Sequence, residues 1–479
     1  MAAGSSGRIT REDAFAIGQL DATGQAALVA NGELAPVDLV EAALIRIDAL
    51  DPALNALTFR DDDTALRRAR AAKGAMAGVP WLVKDGLDYP GMPTRSGSRS
   101  RRDAAAGTAA FPYTKRLDEA GLIALGKTNA PEFGLLPTTE PLLYGAARNP
   151  WALDRSPGGS SGGAAVAVAS GMVPLAHAAD GGGSIRIPAS NCGLIGLKPG
   201  RGGNVRARGP HVIEDLLVGD TLLARSVRDV AWATAATAPP GAPMAIPDRR
   251  RLRIAMIPES LDRGPPSPEV RVALEFAAGL CASLGHDVEL VPSPVDGPAV
   301  AGAFRTVWGY LAQDSIRDAV ARLGTYAVEV LEPWTLDLAD WGSAIEPIDA
   351  DRLFGTIATA EAALGAFFTD YDAILSPVLR LPALRIGALA PDRPFDEIMA
   401  LMFDYVSYTP LHNLTGLPAI SLPLFPGFAD GLPIGSMFAA ARGREPLLLA
   451  LAYELEAAAP WSGRWPAHSI GAMSVPSAA

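Results

Sequence analysis

The chain has 479 residues, 49% of them hydrophobic and 19% charged, which is enough for a large buried core and excludes global disorder. A formal net charge of −11 without a basic stripe argues against nucleic acid as the main partner; the arginine clusters at 67–68, 99–102 and 249–251 are short and scattered. Two cysteines, Cys192 and Cys281, do not make a disulfide scaffold, and the five histidines lack any paired metal-binding spacing, so neither metal nor cofactor is expected.

In chain order, apolar residues at helical spacing (Phe15, Ile17, Leu20, Ala26, Leu28) predict a helix over Arg11 to Asn31, stopped at Gly32. A second helix is expected over Val37 to Leu50, ended by Asp51-Pro52, so that residues 1–60 form a helical N-terminal layer. Gly78 to Lys84 reads as a buried strand ending at the lysine, and Leu122 to Gly126 as another, with Lys127-Thr128-Asn129 as a turn. Arg148 to Gly163 is loop-like, rich in Asn-Pro, Ser-Pro and glycine. A tightly packed helix (Ala164 to Ser170), a strand (Val173 to Ala178) and a sharp turn at Gly181 to Gly183 follow. Ser226 is the expected N-cap of a helix to Ala238; beyond it come strand Leu252 to Ile257, helix Pro268 to Leu284 and strand Val288 to Val291. Residues 298–370 are expected to be helical and to vary with substrate. Strands at Ala373 to Leu375, Ala419 to Leu424 and Met437 to Ala439 precede a closing helix, Glu445 to Ala458. Alternating strands and helices without repeat or linker indicate one large α/β domain spanning 1–479. Met1 to Asp13 has no apolar signal segment, and the longest apolar run, Ala164 to Ala179, is broken by Gly171, Pro174 and His177. A cytoplasmic enzyme without a membrane anchor is the expectation.

Three features carry chemistry. Pro157-Gly158-Gly159-Ser160-Ser161-Gly162-Gly163 and Asp180-Gly181-Gly182-Gly183-Ser184-Ile185-Arg186 each present a serine on a glycine turn, and Lys84 ends the apolar run Trp81-Leu82-Val83. A serine hydroxyl attacks a carbonyl only when a base removes its proton. Ser184, at the mouth of a turn whose successive N–H groups (Gly181, Gly182, Gly183, Ser184) can converge on an oxyanion, is the expected nucleophile. Ser160, a donor and an acceptor, is placed as proton relay. Lys84 is the expected base, because burial among apolar neighbours lowers a lysine pKa by about 3–5 units; Asp85 must then face away from it. Gly158-x-Ser160-x-Gly162 also fits the nucleophile elbow of an α/β-hydrolase esterase, with Ser160 attacking, but no core strand precedes it. A binding module holding an anion in the glycine nest is the non-enzymatic alternative.

At these residues the sequence resembles the amidase signature family, most strongly from Arg155 to Pro199, with agreement at Val83-Lys84-Asp85, at Gly126 to Gly134 and at Asn413 to Pro423. The resemblance implies a single α/β/α domain with a mixed, twisted central sheet, Ser184 as nucleophile, Ser160 as relay on a cis peptide bond and Lys84 as base. It further implies that Asp180 and Arg186 hold the turn and that Ser161 supports the network from behind. Asn129 and Glu132 are expected to be structural, and Cys192 to serve packing. Ala147 to Trp151, Ala176 to Asp180 and Leu455 to Trp461 look most like the cyclic-dimer amidases, relatives of aryl acylamidases and urethanases. Small-molecule amides, oligoamides and carbamates are the implied substrates, with a homodimer left open. The amidase-like subunit of the glutamyl-tRNA amidotransferase, which works in a complex, shares the pattern. Substrate choice is expected in residues 298–380, 95–102 and 135–144; Trp308, Tyr310, Trp334, Trp341, Phe354, Phe403 and Tyr405 are candidates for an apolar pocket or ordinary core. With no fixed charge assignable to the pocket, neutral substrates are favoured.

Overall fold

In the computed structural model, which describes residues 9–473 apart from positions 243, 248, 346, 429 and 430, eleven strands alternate with helices. The strands are β1 (Leu57–Arg60), β2 (Pro80–Lys84), β3 (Ile123–Thr128), β4 (Leu175–Asp180), β5 (Gly196–Lys198), β6 (Gly219–Leu223), β7 (Arg253–Met256), β8 (Asp287–Leu290), β9 (Ala373–Pro377), β10 (Ala419–Leu422) and β11 (Ser436–Ala439). They form two mixed sheets, ordered β1-β3-β2-β4-β6 and β5-β10-β11-β9-β7-β8. The mixed sheet architecture flanked by helices is the one expected from the sequence; its two runs of strands meet edge to edge at an isolated antiparallel bridge between Ile195 and Ala224.

Strand β2 sits in the middle of the first sheet, parallel to β3 on one side and to β4 on the other. All five of its residues are buried, as the run Pro-Trp-Leu-Val-Lys requires of a strand covered on both faces. The three parallel strands end together, so Lys84, the segment after Thr128 and the Gly181–Ser184 turn emerge on the same side. The crevice beyond the carboxyl ends of parallel strands is where α/β sheets hold ligands. Helix Gly162–Ala169, made only of glycine, alanine and valine, is buried on every residue.

The N-terminal layer departs from expectation in two places. The helix predicted over Arg11 to Asn31 is two helices, Arg11–Gly18 and Ala22–Ala30, because the Asp21 side chain caps the second by accepting from Gly24 N–H. The next helix runs from Pro36 through Pro52 to Leu54 and stops at Asn55, whose φ of 53° is left-handed. Lys127 and Thr128 belong to β3 rather than to a turn. Helices Gly297–Leu323, Pro333–Ser343 and Pro347–Phe367 fill the region expected to be helical. With Phe395–Tyr405 they build a second apolar core against the carboxyl ends of the strands. Both cysteines are free and buried. Among the described residues no helix is long and apolar enough to cross a membrane.

Candidate active site

Lys84 is 6% exposed, and its Nζ donates to Ser160 Oγ at 2.7 Å and to the Ala179 carbonyl at 3.3 Å. Burial, with a smaller contribution from the Arg208 guanidinium, pulls its pKa from 10.5 to about 7. Asp85 faces away from it: its carboxylate accepts from Arg95 N–H at 2.9 Å. The Gly159–Ser160 peptide bond is cis. Ser161, buried, accepts from Ala179 N–H at 3.3 Å and so ties the serine loop to β4.

Ser184 is 6% exposed and lines the same cleft as Lys84 and Ser160. Among the described residues its hydroxyl makes no hydrogen bond to protein, so the Lys84–Ser160 pair is joined while Ser184 shares only the cavity with it. The turn carrying Ser184 is fixed from behind. Thr409 Oγ1 donates to the Gly182 carbonyl at 2.6 Å, which orients that peptide. Gly183 has φ 143°, and a Cβ there would lie 2.5 Å from Thr409 Oγ1, so only glycine fits. Asp180 and Arg186, both fully buried, form a two-point pair at 2.8 and 2.9 Å. Asn413 donates to Asp180 at 2.8 Å, and Arg186 donates to the Thr409 carbonyl at 3.1 Å. Arg186 holds the Asp180 carboxyl far below the usual carboxylate range despite its burial.

Two cavities meet at Ser184. The larger, about 260 Å³, has a mixed polar and apolar lining and contains Lys84 and Ser160 together with Asp88, Arg101, Arg208 and Glu214. Fixed charges therefore do line the cleft, contrary to the sequence expectation; Asp88 and Arg208 come from loops, Arg101 from a single helical turn and Glu214 from helix Val212–Leu217, and the approach of these segments has no local signature. The smaller, about 20 Å³, has room for little more than one water molecule and is walled by Leu136, Ile187, Phe304, Met402, Phe403 and Val406. Of the aromatic candidates, Trp308 lines both cavities and Phe403 the smaller one. Trp334 is core, stacked on Phe395, and Tyr405 is core against Asn191; Phe354 is exposed. Trp308 and Trp334 both donate to the Leu135 carbonyl, at 3.0 and 3.3 Å, pinning the segment that lies over Ser160. Glu132 and Asn129 are buried scaffolding: Glu132 accepts from Ser98 and Thr335, both at 2.6 Å, and Asn129 donates to the Asn55 and Gly145 carbonyls.

Sequence reasoning missed a charged group behind Lys84. His177 Nε2 lies 3.0 Å from Asp220 Oδ1, and the Arg208 guanidinium donates to the same oxygen. The visible trace was a histidine inside the apolar strand Leu-Ala-His-Ala-Ala-Asp, which calls for a buried partner. Among the described residues no cluster of three or more histidine, cysteine or carboxylate side chains is arranged to hold a metal ion.

The amidase family model matches residues 38–449. The chain belongs to the amidase signature family. This amidase is a hydrolase acting on amide C–N bonds. It is 39% identical to AmiC of Mycobacterium leprae, over 93% of this chain and 97% of that one. It is 34% identical to the 6-aminohexanoate-cyclic-dimer hydrolase of Paenarthrobacter ureafaciens, over 96% and 98%. A solved structure of a 6-aminohexanoate cyclic dimer hydrolase with substrate superposes with a TM-score of 0.87 at 31% identity, covering 94% of the amidase and 99% of that chain. A bacterial aryl acylamidase superposes with a TM-score of 0.83 at 26% identity, covering 95% and 98%.

Proposed function

We propose that the amidase cleaves aryl and alkyl amides and oligoamides, and also carbamates, through Ser184 as nucleophile, Ser160 as relay and Lys84 as base. The observation that carries this reading is the hydrogen bond from a buried, readily deprotonated lysine to Ser160, inside the cavity that Ser184 and its glycine turn also line. Neutral Lys84 takes the Ser160 hydroxyl proton as Ser160 takes that of Ser184. Ser184 Oγ attacks the carbonyl carbon, and the N–H groups of Gly181 to Ser184 receive the negative oxygen. The proton returns through Ser160 to the leaving nitrogen, the C–N bond breaks, and water hydrolyses the acyl-enzyme by the same relay. A carbamate would form a carbamoyl-enzyme and end as alcohol, amine and carbon dioxide.

The relay also orients the substrate. The leaving nitrogen must be protonated by Ser160, so it belongs in the wider cleft that contains Ser160 and Lys84. The acyl group belongs next to Ser184 in the narrow apolar slot, which as it stands takes little more than a methyl-sized group and admits an alkyl chain only when Phe304 or Met402 moves. Two elements of the slot, the 135–144 segment and the 298–380 region, are where the sequence places substrate choice; the third, helix Phe395–Tyr405 and Val406 after it, is not.

The test is Ser184→Ala on the purified chain, assayed with p-nitroanilides of increasing acyl length and with a sulfonyl fluoride followed by mass spectrometry. Turnover and the covalent adduct are both expected to vanish. An adduct that persists on Ser160 would reassign the nucleophile. A wild-type chain inactive without partner proteins would favour the reading as one component of an amidotransferase complex.

A further inference from the structure

We infer that Arg208 is a positioning residue for the base: its guanidinium occupies the carboxylate of Asp220, which would otherwise be a counter-ion for Lys84 in the floor of the cleft. The inference rests on the reading of Lys84 as base. A lysine that accepts protons must be neutral, and any free carboxylate nearby would hold it as an ammonium. Four charged or titratable groups act on Lys84 from the elements around it: Asp180 and His177 on β4, Asp220 on β6, and Arg208 from the loop after β5. Asp85, its chain neighbour, is turned toward Arg95.

The two carboxylates that flank Lys84 on β4 and β6 are already committed to an arginine, and Glu214, which shares the cleft, lies 3.7 Å from the same Arg208 guanidinium. Asp180 is held at two points by Arg186 and again by Asn413. Asp220, 5% exposed, takes Arg208 and His177 on one oxygen. His177 is fully buried, and burial lowers its pKa, so it stays neutral with Nε2–H toward Asp220; its Nδ1 has no partner among the described residues. Arg208 is therefore the one full positive charge on Asp220. With both carboxylates satisfied, Lys84 is left with two neutral partners, the Ser160 hydroxyl and the Ala179 carbonyl. Arg208 also lines the cleft, and its own charge opposes a proton on Lys84.

The experiment is a pH profile of kcat/KM, from pH 5 to 10, on one p-nitroanilide. Arg208→Gln frees Asp220, releases Glu214 and removes a positive charge, and all three changes favour the ammonium. Its acidic limb is expected to move up by about one pH unit or more, which loses about tenfold at the foot of the limb and nothing on the alkaline plateau. Arg208→Lys should restore the wild-type limb, and so should the double variant Arg208→Gln with Asp220→Asn. Asp220→Asn alone should move the limb the other way, and it answers the question if Arg208→Gln does not fold. Equal loss at every pH in Arg208→Gln, or a double variant whose limb stays with that of Arg208→Gln, overturns the inference. Lys84→Ala separates the two levels. If it is inactive while no limb moves, only the role of Arg208 falls; if it turns over normally, the base assignment falls and takes this inference with it.

Discussion

At the scale of the residue, the decisive economy is at Lys84. Burial and Arg208 bring its pKa to about 7, so the neutral amine is already abundant near neutrality. The expected result is a kcat/KM that falls tenfold per pH unit below an apparent pKa of about 7, measured on any neutral amide. The same shift has a stability sign. In the unfolded chain a lysine keeps its proton up to about 10.4, so between about 7 and 10.4 the unfolded state binds more protons than the native one. Stability from this group therefore rises with pH across that window. Lys84→Met should abolish turnover yet raise the melting midpoint at pH 7 by about 1–2 °C, read by calorimetry; an unchanged turnover number would remove the lysine from the mechanism. Lysine at the end of Trp81-Leu82-Val83 was legible in the sequence because an apolar run announces burial. Arg208 and Asp220 were not: their meeting depends on a loop folding back over β6, and neither has a local pattern.

At the scale of the element, the Gly181–Ser184 turn is set by neighbours far along the chain. Gly183→Ala puts a methyl group 2.5 Å from Thr409 Oγ1 and 2.6 Å from Ile187 Cδ1, on a backbone that L-residues rarely adopt. The turn must shift, and kcat is expected to fall by about 10²–10³, the usual effect of losing an oxyanion donor. Gly279→Ala, in helix Pro268–Ser283 with open space around its Cβ, is the matched control and should leave the rate unchanged. Steady-state kinetics on the two variants decide whether turn geometry or glycine content in general matters. The turn, the serine loop and strands β2 and β4 were legible because glycine runs and apolar runs are local signals. Strand β6, Gly-Asp-Thr-Leu-Leu, shows no alternation and exists through pairing with β4. Helix Phe395–Tyr405, which walls the apolar slot, also escaped notice, since its preceding proline and glycine punctuation reads as loop.

At the scale of the whole molecule, the Asp180–Arg186 pair is a fastener between the two sheets. Asp180 ends β4 of the first sheet; Thr409 and Asn413, which bind the pair, lie just before β10 of the second. Arg186→Met leaves a fully buried carboxylate without its cation, and breaking such a pair costs about 3–5 kcal/mol. Denaturant unfolding should show that loss, and a loss below about 1 kcal/mol would mean that the two sheets are held together elsewhere. The α/β class and the spacing of the strands were legible from alternating patterns over the chain. The seam between the two runs of strands was not, because they are joined by a single bridge at Ile195 and Ala224 that no sequence pattern marks.

The unequal chambers that meet at Ser184 also impose an order of traffic. In the proposed reaction the acyl portion stays in the apolar slot, the freed amine departs through the wider mouth, and the next reactant arrives by that same door. Water has no privilege there beyond abundance. A small primary amine or hydroxylamine supplied in excess would compete for the ester at Ser184 and carry off the acyl portion as a new amide or a hydroxamate. On the proposed mechanism, the same arrangement that cuts such bonds would, at high acceptor concentration, remake them.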